Sequence, residues 1–123
     1  MAGNNKEDDA VSNTIFARII NKEIPADIIH EDDQCVAFRD ANPQAPVHFF
    51  VVPRKPIPRL QDLVPEDSEL IGHIHQVITR LAASEGIADG YRVVVNSGAS
   101  AGQSVFHLHY HVLGGRAMGW PPG

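Results

Sequence analysis

Near the carboxyl end of the chain, histidines alternate with apolar or aromatic side chains in the run His107-Leu108-His109-Tyr110-His111. A period of two is typical of a strand, because successive side chains of a strand point to opposite faces of its sheet. The pattern therefore predicts a strand over about residues 105–113 that carries three imidazoles on one face. Its other face is apolar and needs a cover of packed side chains.

The rest of the chain predicts four further strands and two helices. Short β-branched or alternating runs predict strands at residues 28–31, 35–39, 47–52 and 91–96. An i, i+4, i+7, i+8 apolar pattern predicts a long helix from Asp67 or Ser68 to Gly86, and a short helix follows a cap at residues 12–14. Tight turns join most strands, so we expect an α+β fold: a five-stranded antiparallel sheet meander with one long and one short helix. Only the link through the long helix could support a parallel crossover.

Size and charge narrow the possible partners. The 123 residues fit one domain, predicted over residues 13–123, and the polar residues 1–12 are expected to be a disordered lead-in. A net charge of −5 argues against long nucleic acid, and no apolar run suits a membrane span.

Cys35 is the only cysteine, which suits a reducing compartment. We therefore expect a cytoplasmic protein, with the nucleus as a second location.

The histidine row allows two chemistries. Imidazoles at i and i+2 can reach one zinc ion, with His48 as a further ligand beside His107, His109 and His111. Alternatively, a neutral imidazole attacks phosphorus and becomes covalently phosphorylated, while neighbouring histidines hold its tautomer and supply protons. A merely structural role is disfavoured, because buried imidazoles need polar partners.

The segment just before the histidine row favours phosphorus chemistry. Residues 97–104 read SGASAGQS, and a Gly-rich loop can expose backbone N–H groups as an anion nest. Asn96, Gln103 and Ser104 add neutral donors. A metal site has no need of such a phosphate cradle, so the combination favours a nucleophilic histidine.

Several motifs beyond the histidine run carry a resemblance to one family. They are Phe38-Arg39-Asp40, Pro43-Gln44-Ala45-Pro46-Val47-His48, Val94-Val95-Asn96, Gly102-Gln103-Ser104-Val105, Gly114-Gly115-Arg116 and Trp120-Pro121-Pro122-Gly123. With the His-x-His-x-His pattern they resemble the histidine triad (HIT) superfamily, and within it the Hint branch of histidine triad nucleotide-binding proteins. The resemblance covers nearly all of the chain after the lead-in.

The resemblance implies a homodimer whose two sheets join, and a purine nucleoside phosphoramidase without a cofactor. Such an enzyme hydrolyses adenosine 5′-phosphoramidates to AMP and an amine through a nucleotidyl-histidine. His109 would be the nucleophile, oriented by His107, while His111 contacts the phosphate and His48 lies beside the triad. Trp120 would approach the partner subunit's site.

The resemblance also implies a set of nucleotide contacts. Asn96, Gln103 and Ser104 would surround the phosphate, with Ser104 near the leaving amine. Asp40 would bind the ribose hydroxyls. The walls of the base site would be Ile15, Phe16, Ile19, Phe38 and Ala41.

Some alternatives stay open at this point. Asp40 could have no role beyond capping its turn, and Phe38 and Ile19 could be ordinary core residues. Trp120 could lie in a frayed tail. A non-catalytic nucleotide-binding or scaffolding protein and a dinucleoside polyphosphate hydrolase are the alternative functions, although the short tail argues against the second.

Two positions depart from the Hint pattern, and three further histidines lie outside it. Pro56 stands where the branch often carries a histidine, and Tyr110 is an unusual triad spacer that should face away from the site. The remaining histidines, His30, His73 and His75, are expected to be solvated.

Overall fold

A computed structural model describes residues 13–123. The predicted lead-in over residues 1–12 lies outside the described residues. The α-helices are α1 (Ile15–Ile20) and α2 (Ser68–Ser84). The strands are β1 (Ile28–Glu31), β2 (Cys35–Arg39), β3 (Val47–Pro53), β4 (Tyr91–Val94) and β5 (Tyr110–Gly114).

The strands form one sheet in the order β1-β2-β3-β5-β4, and every neighbouring pair is antiparallel. This confirms the predicted α+β fold with a five-stranded antiparallel sheet, one long helix and one short helix. The long-helix link leads to the edge strand β4, and β5 then returns between β3 and β4. The possible parallel crossover is therefore not formed.

The long helix α2 covers one face of the sheet. Its apolar side chains, including Ile74, Val77 and Ile78, pack on the side chains that the strands project toward it. Those strand residues are Cys35, Ala37, Phe49, Val51, Tyr110 and Val112. None of the helices within residues 13–123 is long and apolar enough to cross a membrane.

The short helix α1 lies on the opposite face. Thr14 is its N-cap, and the Thr14 hydroxyl accepts a hydrogen bond from the backbone N–H of Ala17 at 3.2 Å, as expected for a capping threonine. Phe16, Ile19 and Ile20 of α1 pack against strand residues in a second apolar cluster. Its strand members are Val36, Phe38, Phe50 and Val52.

The last strand is shorter than predicted, since β5 begins at Tyr110 and not at about residue 105. Tyr110 pairs with Val51, so Leu108 would face Pro53, which has no N–H to donate to a ladder. The Leu108 N–H instead donates to the carbonyl of Ile57 at 2.7 Å. Likewise β4 ends at Val94, two residues before the predicted end.

Candidate active site

The predicted alternation of side chains holds through the histidine run, although only its end is a regular strand. Leu108 and Tyr110 are buried in the cluster beneath α2. His109 lies on the α1 face, with its ring centroid 4.8 Å from that of Phe16 and 5.6 Å from that of Phe50. The ring of His111 follows on the same side, 5.1 Å from His109. The fold thus brings these two imidazoles together on one side of the sheet.

His109 is held in one defined tautomer. Its Nδ1 atom lies 2.7 Å from the carbonyl oxygen of His107. Because a carbonyl oxygen can only accept, Nδ1 carries the proton and the lone pair lies on Nε2. Burial lowers the pKa of His109, so the ring is neutral at pH 7. A neutral imidazole with a free Nε2 is a competent nucleophile.

The orientation of His109 comes from the main chain of His107 and not from the His107 ring. That ring is 1% exposed, and its Nε2 atom donates to the carbonyl of Pro53 at 2.7 Å. Among the described residues its Nδ1 atom has no hydrogen-bond partner. His107 therefore ties the histidine segment to the end of β3 and fixes the carbonyl that holds His109.

A second chain of hydrogen bonds sets the tautomer of His111. The backbone N–H of Gln44 donates to Nδ1 of His48 at 3.0 Å, which leaves the His48 proton on Nε2. That Nε2 lies 3.0 Å from Nδ1 of His111 and 3.4 Å from Oδ2 of Asp40. Donation to the nearer atom leaves His111 with its own proton on Nε2. Burial, with His109 and His48 nearby, lowers the pKa of His111 to about 4, so His111 is a neutral donor.

An apolar groove of about 520 Å³ lies beside the histidines. All six residues predicted to contact the nucleoside line it, namely Ile15, Phe16, Ile19, Phe38, Asp40 and Ala41. Phe16 joins this groove to His109 by direct ring contact. The groove is therefore open to a flat apolar group placed next to the nucleophile.

Sequence reasoning missed Phe50, which lies at the centre of this site. Its ring centroid is 4.8 Å from that of His111, and it also contacts the rings of Phe16 and Phe38. The signal was present, since Phe50 is two residues after His48 on a predicted strand and so shares its face. The groove also includes Ile24, Pro25, Ala26, Asp27 and Arg39, which were not predicted as site residues.

Asp40 has two roles in the structure. Its Oδ1 atom accepts a hydrogen bond from the backbone N–H of Asn42 at 2.8 Å, which is the turn-capping role left open by the sequence. Its Oδ2 atom faces His48, and the residue also lines the groove. The turn therefore holds a carboxylate at the boundary between groove and histidines.

The Gly-rich loop is built differently from the predicted anion nest. The N–H groups of Gly98, Ala101, Gly102 and Gln103 all donate to acceptors inside residues 98–103. Gly98 and Gly102 have φ of 104° and 92°, the left-handed region that glycine tolerates. These two glycines thus shape the loop, and the four N–H groups are not free for an anion.

Gln103 is also placed differently from the prediction. It is buried, and its Nε2 atom donates to the carbonyls of Pro58 and Val105 at 2.7 and 2.9 Å. With both amide hydrogens used, Gln103 is a scaffold of the loop and not a free phosphate donor. Ser104 remains exposed and Asn96 half-buried.

The four-histidine zinc site considered as an alternative is not assembled. His107 and His109 each use one ring nitrogen to donate a hydrogen bond to a main-chain carbonyl. Within residues 13–123, the ligand atoms that come together on this face belong to Asp40, His48 and His111, all within 4.8 Å of one another. This trio could hold a metal ion, but the arrangement leaves the His109 nitrogen outside it.

Comparison with known proteins decides the family. The sequence model of the HIT domain family matches residues 21–118 of the chain. The chain belongs to the HIT domain family. An uncharacterized HIT-like protein of Synechocystis is 56% identical over 110 residues, which cover 89% of this chain and 96% of that protein. The predicted superfamily is thereby confirmed.

Solved structures agree with this assignment. A HIT family hydrolase from Legionella pneumophila is 46% identical with a TM-score of 0.88, covering 90% of this chain and all of its own. A HIT family hydrolase from Clostridium thermocellum is 42% identical with a TM-score of 0.84, covering 87% and 94%. The chain is therefore a HIT family hydrolase-like protein.

Two histidines of this HIT protein contradict the expectation that they are solvated. His30 and His73 are half-buried, and both rings contact the carboxylate of Asp32 on the α2 face of the sheet. His75 is exposed as predicted, with one ring edge against Tyr110. Tyr110 faces the core and not the groove, also as predicted.

The lowered pKa values make a testable prediction for the pH profile of this HIT hydrolase-like protein. Burial is the main cause that lowers the pKa of His48, His109 and His111 below 6.5, so their neutral forms persist as the pH falls. We expect kcat/KM to stay flat through pH 6.5 and to fall only below it. Steady-state kinetics from pH 4 to 9 measure this, and a half-loss at or above pH 6.5 contradicts the lowered pKa values of these imidazoles.

Proposed function

We propose that this chain is a purine nucleoside phosphoramidase of the Hint branch. It hydrolyses adenosine 5′-phosphoramidates to AMP and an amine through a nucleotidyl-His109 intermediate. The observation that carries the proposal is the buried, neutral His109, whose Nε2 is left free by the bond from Nδ1 to the His107 carbonyl. The adjoining apolar groove suits a purine ring, and its Asp40 suits a ribose diol.

In the first step, Nε2 of His109 attacks phosphorus and the P–N bond breaks. The imidazole becomes cationic when it is phosphorylated, and the His107 carbonyl and the Asp40 carboxylate stabilise that charge, since both favour the protonated ring. The Nε2–H of His111 donates to a phosphoryl oxygen, where negative charge builds up. The leaving amine takes a proton from solvent, relayed through the exposed hydroxyl of Ser104.

In the second step, water attacks the same phosphorus atom and the P–N bond to His109 breaks. His109 leaves as a neutral imidazole, and the proton of the attacking water passes to solvent. The products are AMP and the free enzyme. The nucleophile and the donors are all side chains, so the proposed reaction requires no cofactor.

Asp40 gives a prediction about sugar recognition. A hydrogen bond to a charged group contributes about 1.5–3 kcal/mol, so Asp40→Asn should raise KM for an adenosine phosphoramidate about 10- to 100-fold. Asparagine keeps an Oδ1 acceptor for the turn bond from Asn42. The measurement is KM for the ribose substrate and for its dideoxy analogue. If the variant still prefers the ribose form as strongly as the wild type does, Asp40 does not bind the diol.

A substrate panel tests the function itself. Release of AMP is measured from adenosine and guanosine 5′-phosphoramidates with several amines, and from a diadenosine polyphosphate. The proposal expects phosphoramidates to be the best substrates. Tight AMP binding without turnover of any of them indicates a nucleotide-binding scaffold, and turnover of the polyphosphate alone indicates the dinucleoside polyphosphate hydrolase.

We further propose a homodimer that lies in the cytoplasm and nucleus, with no membrane or long nucleic acid among its partners. Two features support the dimer: Trp120 is 83% exposed, and Val93 is exposed on the edge strand β4. An indole exposed to this degree is suited to contact a partner subunit. Sedimentation of the wild type and of Trp120→Ala tests this, since a monomeric wild type contradicts it.

A further inference from the structure

We propose a zinc site on the face of the sheet opposite the histidine triad, formed by His30, Asp32, Cys35 and His73. It does not depend on the proposed phosphoramidase activity. The four residues come from β1, the β1–β2 turn, the start of β2 and α2. They contribute two imidazoles, one carboxylate and one thiol, a donor set that zinc accepts in tetrahedral sites.

Three of these side chains converge on one oxygen atom of the fourth. The Nε2 atoms of His30 and His73 each lie 2.7 Å from Oδ2 of Asp32. The Sγ atom of Cys35 lies 3.6 Å from the same oxygen. The ligand atoms of His30, Asp32 and Cys35 are all within 4.8 Å of one another. The ligand atoms of His30, Asp32 and Cys35 thus occupy one small volume, and His73 adjoins it through its contact with Oδ2 of Asp32.

These separations fit a metal ion after small shifts. Zinc bonds of about 2.0–2.3 Å in a tetrahedron place the ligand atoms about 3–4 Å apart. The observed 2.7 and 3.6 Å are close to that range. To bind one ion, the hydrogen bonds from His30 and His73 to Asp32 lengthen by about an ångström, and the His73 ring rotates toward His30 and Cys35.

The backbone presents Asp32 in the orientation required of a ligand. Its Oδ1 atom accepts hydrogen bonds from the N–H groups of Gln34 and Cys35 at 2.7 and 2.8 Å. This turn leaves Oδ2 aimed at the two imidazoles. The main-chain bonds to Oδ1 therefore fix the direction of the ligand atom Oδ2 before any metal binds.

Access to the cluster is from one side. The side chains of His30, Asp32 and His73 are 27%, 23% and 26% exposed, whereas Cys35 is 0% exposed. An ion can enter past the imidazoles and meet the sulfur at the buried end. Cys35 lies in the α2-side cluster, whereas His109 packs on the α1 face, so the site is separate from the triad.

The charges balance when zinc binds. In the bound state each imidazole ligates through Nε2 and carries its ring proton on Nδ1, and the Cys35 thiol releases one proton to solvent as the Zn–S bond forms. The thiolate and the Asp32 carboxylate then neutralise the dication. Arg54, whose Nε donates to the Asp32 carbonyl at 2.7 Å, and Arg80 of α2 are the nearby cations, and Glu31 pairs with Arg54. Of these charges, the two arginines favour the thiolate.

The Cys35 thiol is expected to differ in protonation between the metal-free and the metal-bound protein. Burial, and then the negative charge of Asp32, raise the pKa of Cys35 to about 12. A purely structural hydrogen-bond network would keep this thiol protonated at neutral pH. A thiolate at Cys35 near pH 7 thus reports a bound metal ion.

The experiment is a Co²⁺ titration of the full chain at neutral pH, followed by displacement with Zn²⁺. Because Cys35 is the only cysteine, a thiolate-to-cobalt charge-transfer band can arise only there. We expect the band to saturate at one equivalent, with the visible bands of tetrahedral cobalt, and to disappear when Zn²⁺ is added. Absence of the band in excess Co²⁺ overturns the proposal.

Variants assign the other ligands. His30→Gln and His73→Gln should each weaken Co²⁺ binding at least about tenfold, whereas Cys35→Ser should abolish the charge-transfer band. His48→Gln is the matched control, since it removes a ligand from the Asp40, His48 and His111 trio and should leave the band unchanged. Circular dichroism verifies that each variant is folded. Unchanged affinity in the His30→Gln, His73→Gln double variant contradicts the site, even if Cys35→Ser fails to fold.

Discussion

Replacing His109 with alanine is expected to lower kcat for an adenosine phosphoramidate by about 10⁴–10⁶, the scale on which enzymes lose activity when a catalytic nucleophile is removed. No other imidazole is placed to substitute for it. His107 donates its Nε2–H to Pro53, and His111 accepts a hydrogen bond from His48. Nucleotide binding should survive, because the groove is lined by α1, β2, their adjoining loops and Phe50, and not by His109. Kinetics and calorimetric titration with AMP measure the two properties separately.

The neighbouring Tyr110→Phe is the matched control for that experiment. Tyr110 follows His109 in the chain but packs beneath α2 on the other face of the sheet, so its variant should keep nearly full activity. A large loss in both variants would indicate damage to the sheet and not to the chemistry. Full activity in His109→Ala would exclude His109 as nucleophile.

The second large effect is expected for His111→Ala, with a fall in kcat of about 10²–10³ and little change in KM. A donor aimed at charge that develops in the transition state contributes on that scale, and the Nε2–H of His111 is such a donor. The tautomer depends on His48, whose Nε2 donates to Nδ1 of His111 at 3.0 Å. His48→Gln should therefore lower kcat as well, although by less.

The double variant shows whether His48 acts through His111 or contacts the substrate independently. If His48 acts through His111, the loss in the His48→Gln, His111→Ala variant should be close to that of His111→Ala alone. Steady-state kinetics of the four proteins complete the cycle. Losses that multiply would mean that His48 contacts the substrate by itself.

Local patterns were enough to predict most of the elements. The period-two runs of β1 and β2 are short and bounded by turn residues, and their predicted limits agree with the structure. The start of β5 could not be predicted in the same way, because it depends on which residue lies opposite. Pro53 ends the ladder through its missing N–H, and that pairing is a property of the assembled sheet.

The residues of the candidate site were predicted better than the hydrogen bonds between them. The resemblance named six of the groove residues and the histidines, and these come together in the structure. The sequence motifs did not show that the Gln103 amide donates to the carbonyls of Pro58 and Val105, since loop packing determines those acceptors. Nor could spacing reveal the contact of His30 and His73 with Asp32, because His73 reaches it from a distant helix.

If His109 forms a covalent bond to phosphorus, the stereochemical course of hydrolysis reveals it. An adenosine 5′-phosphoramidate made chiral at phosphorus by a sulfur substituent is hydrolysed in isotopically labelled water, and the configuration of the product is determined. Attack by His109 followed by attack of water amounts to two in-line displacements, each with inversion. We expect net retention at phosphorus. Net inversion would show direct attack by water and would contradict the nucleophilic role of His109.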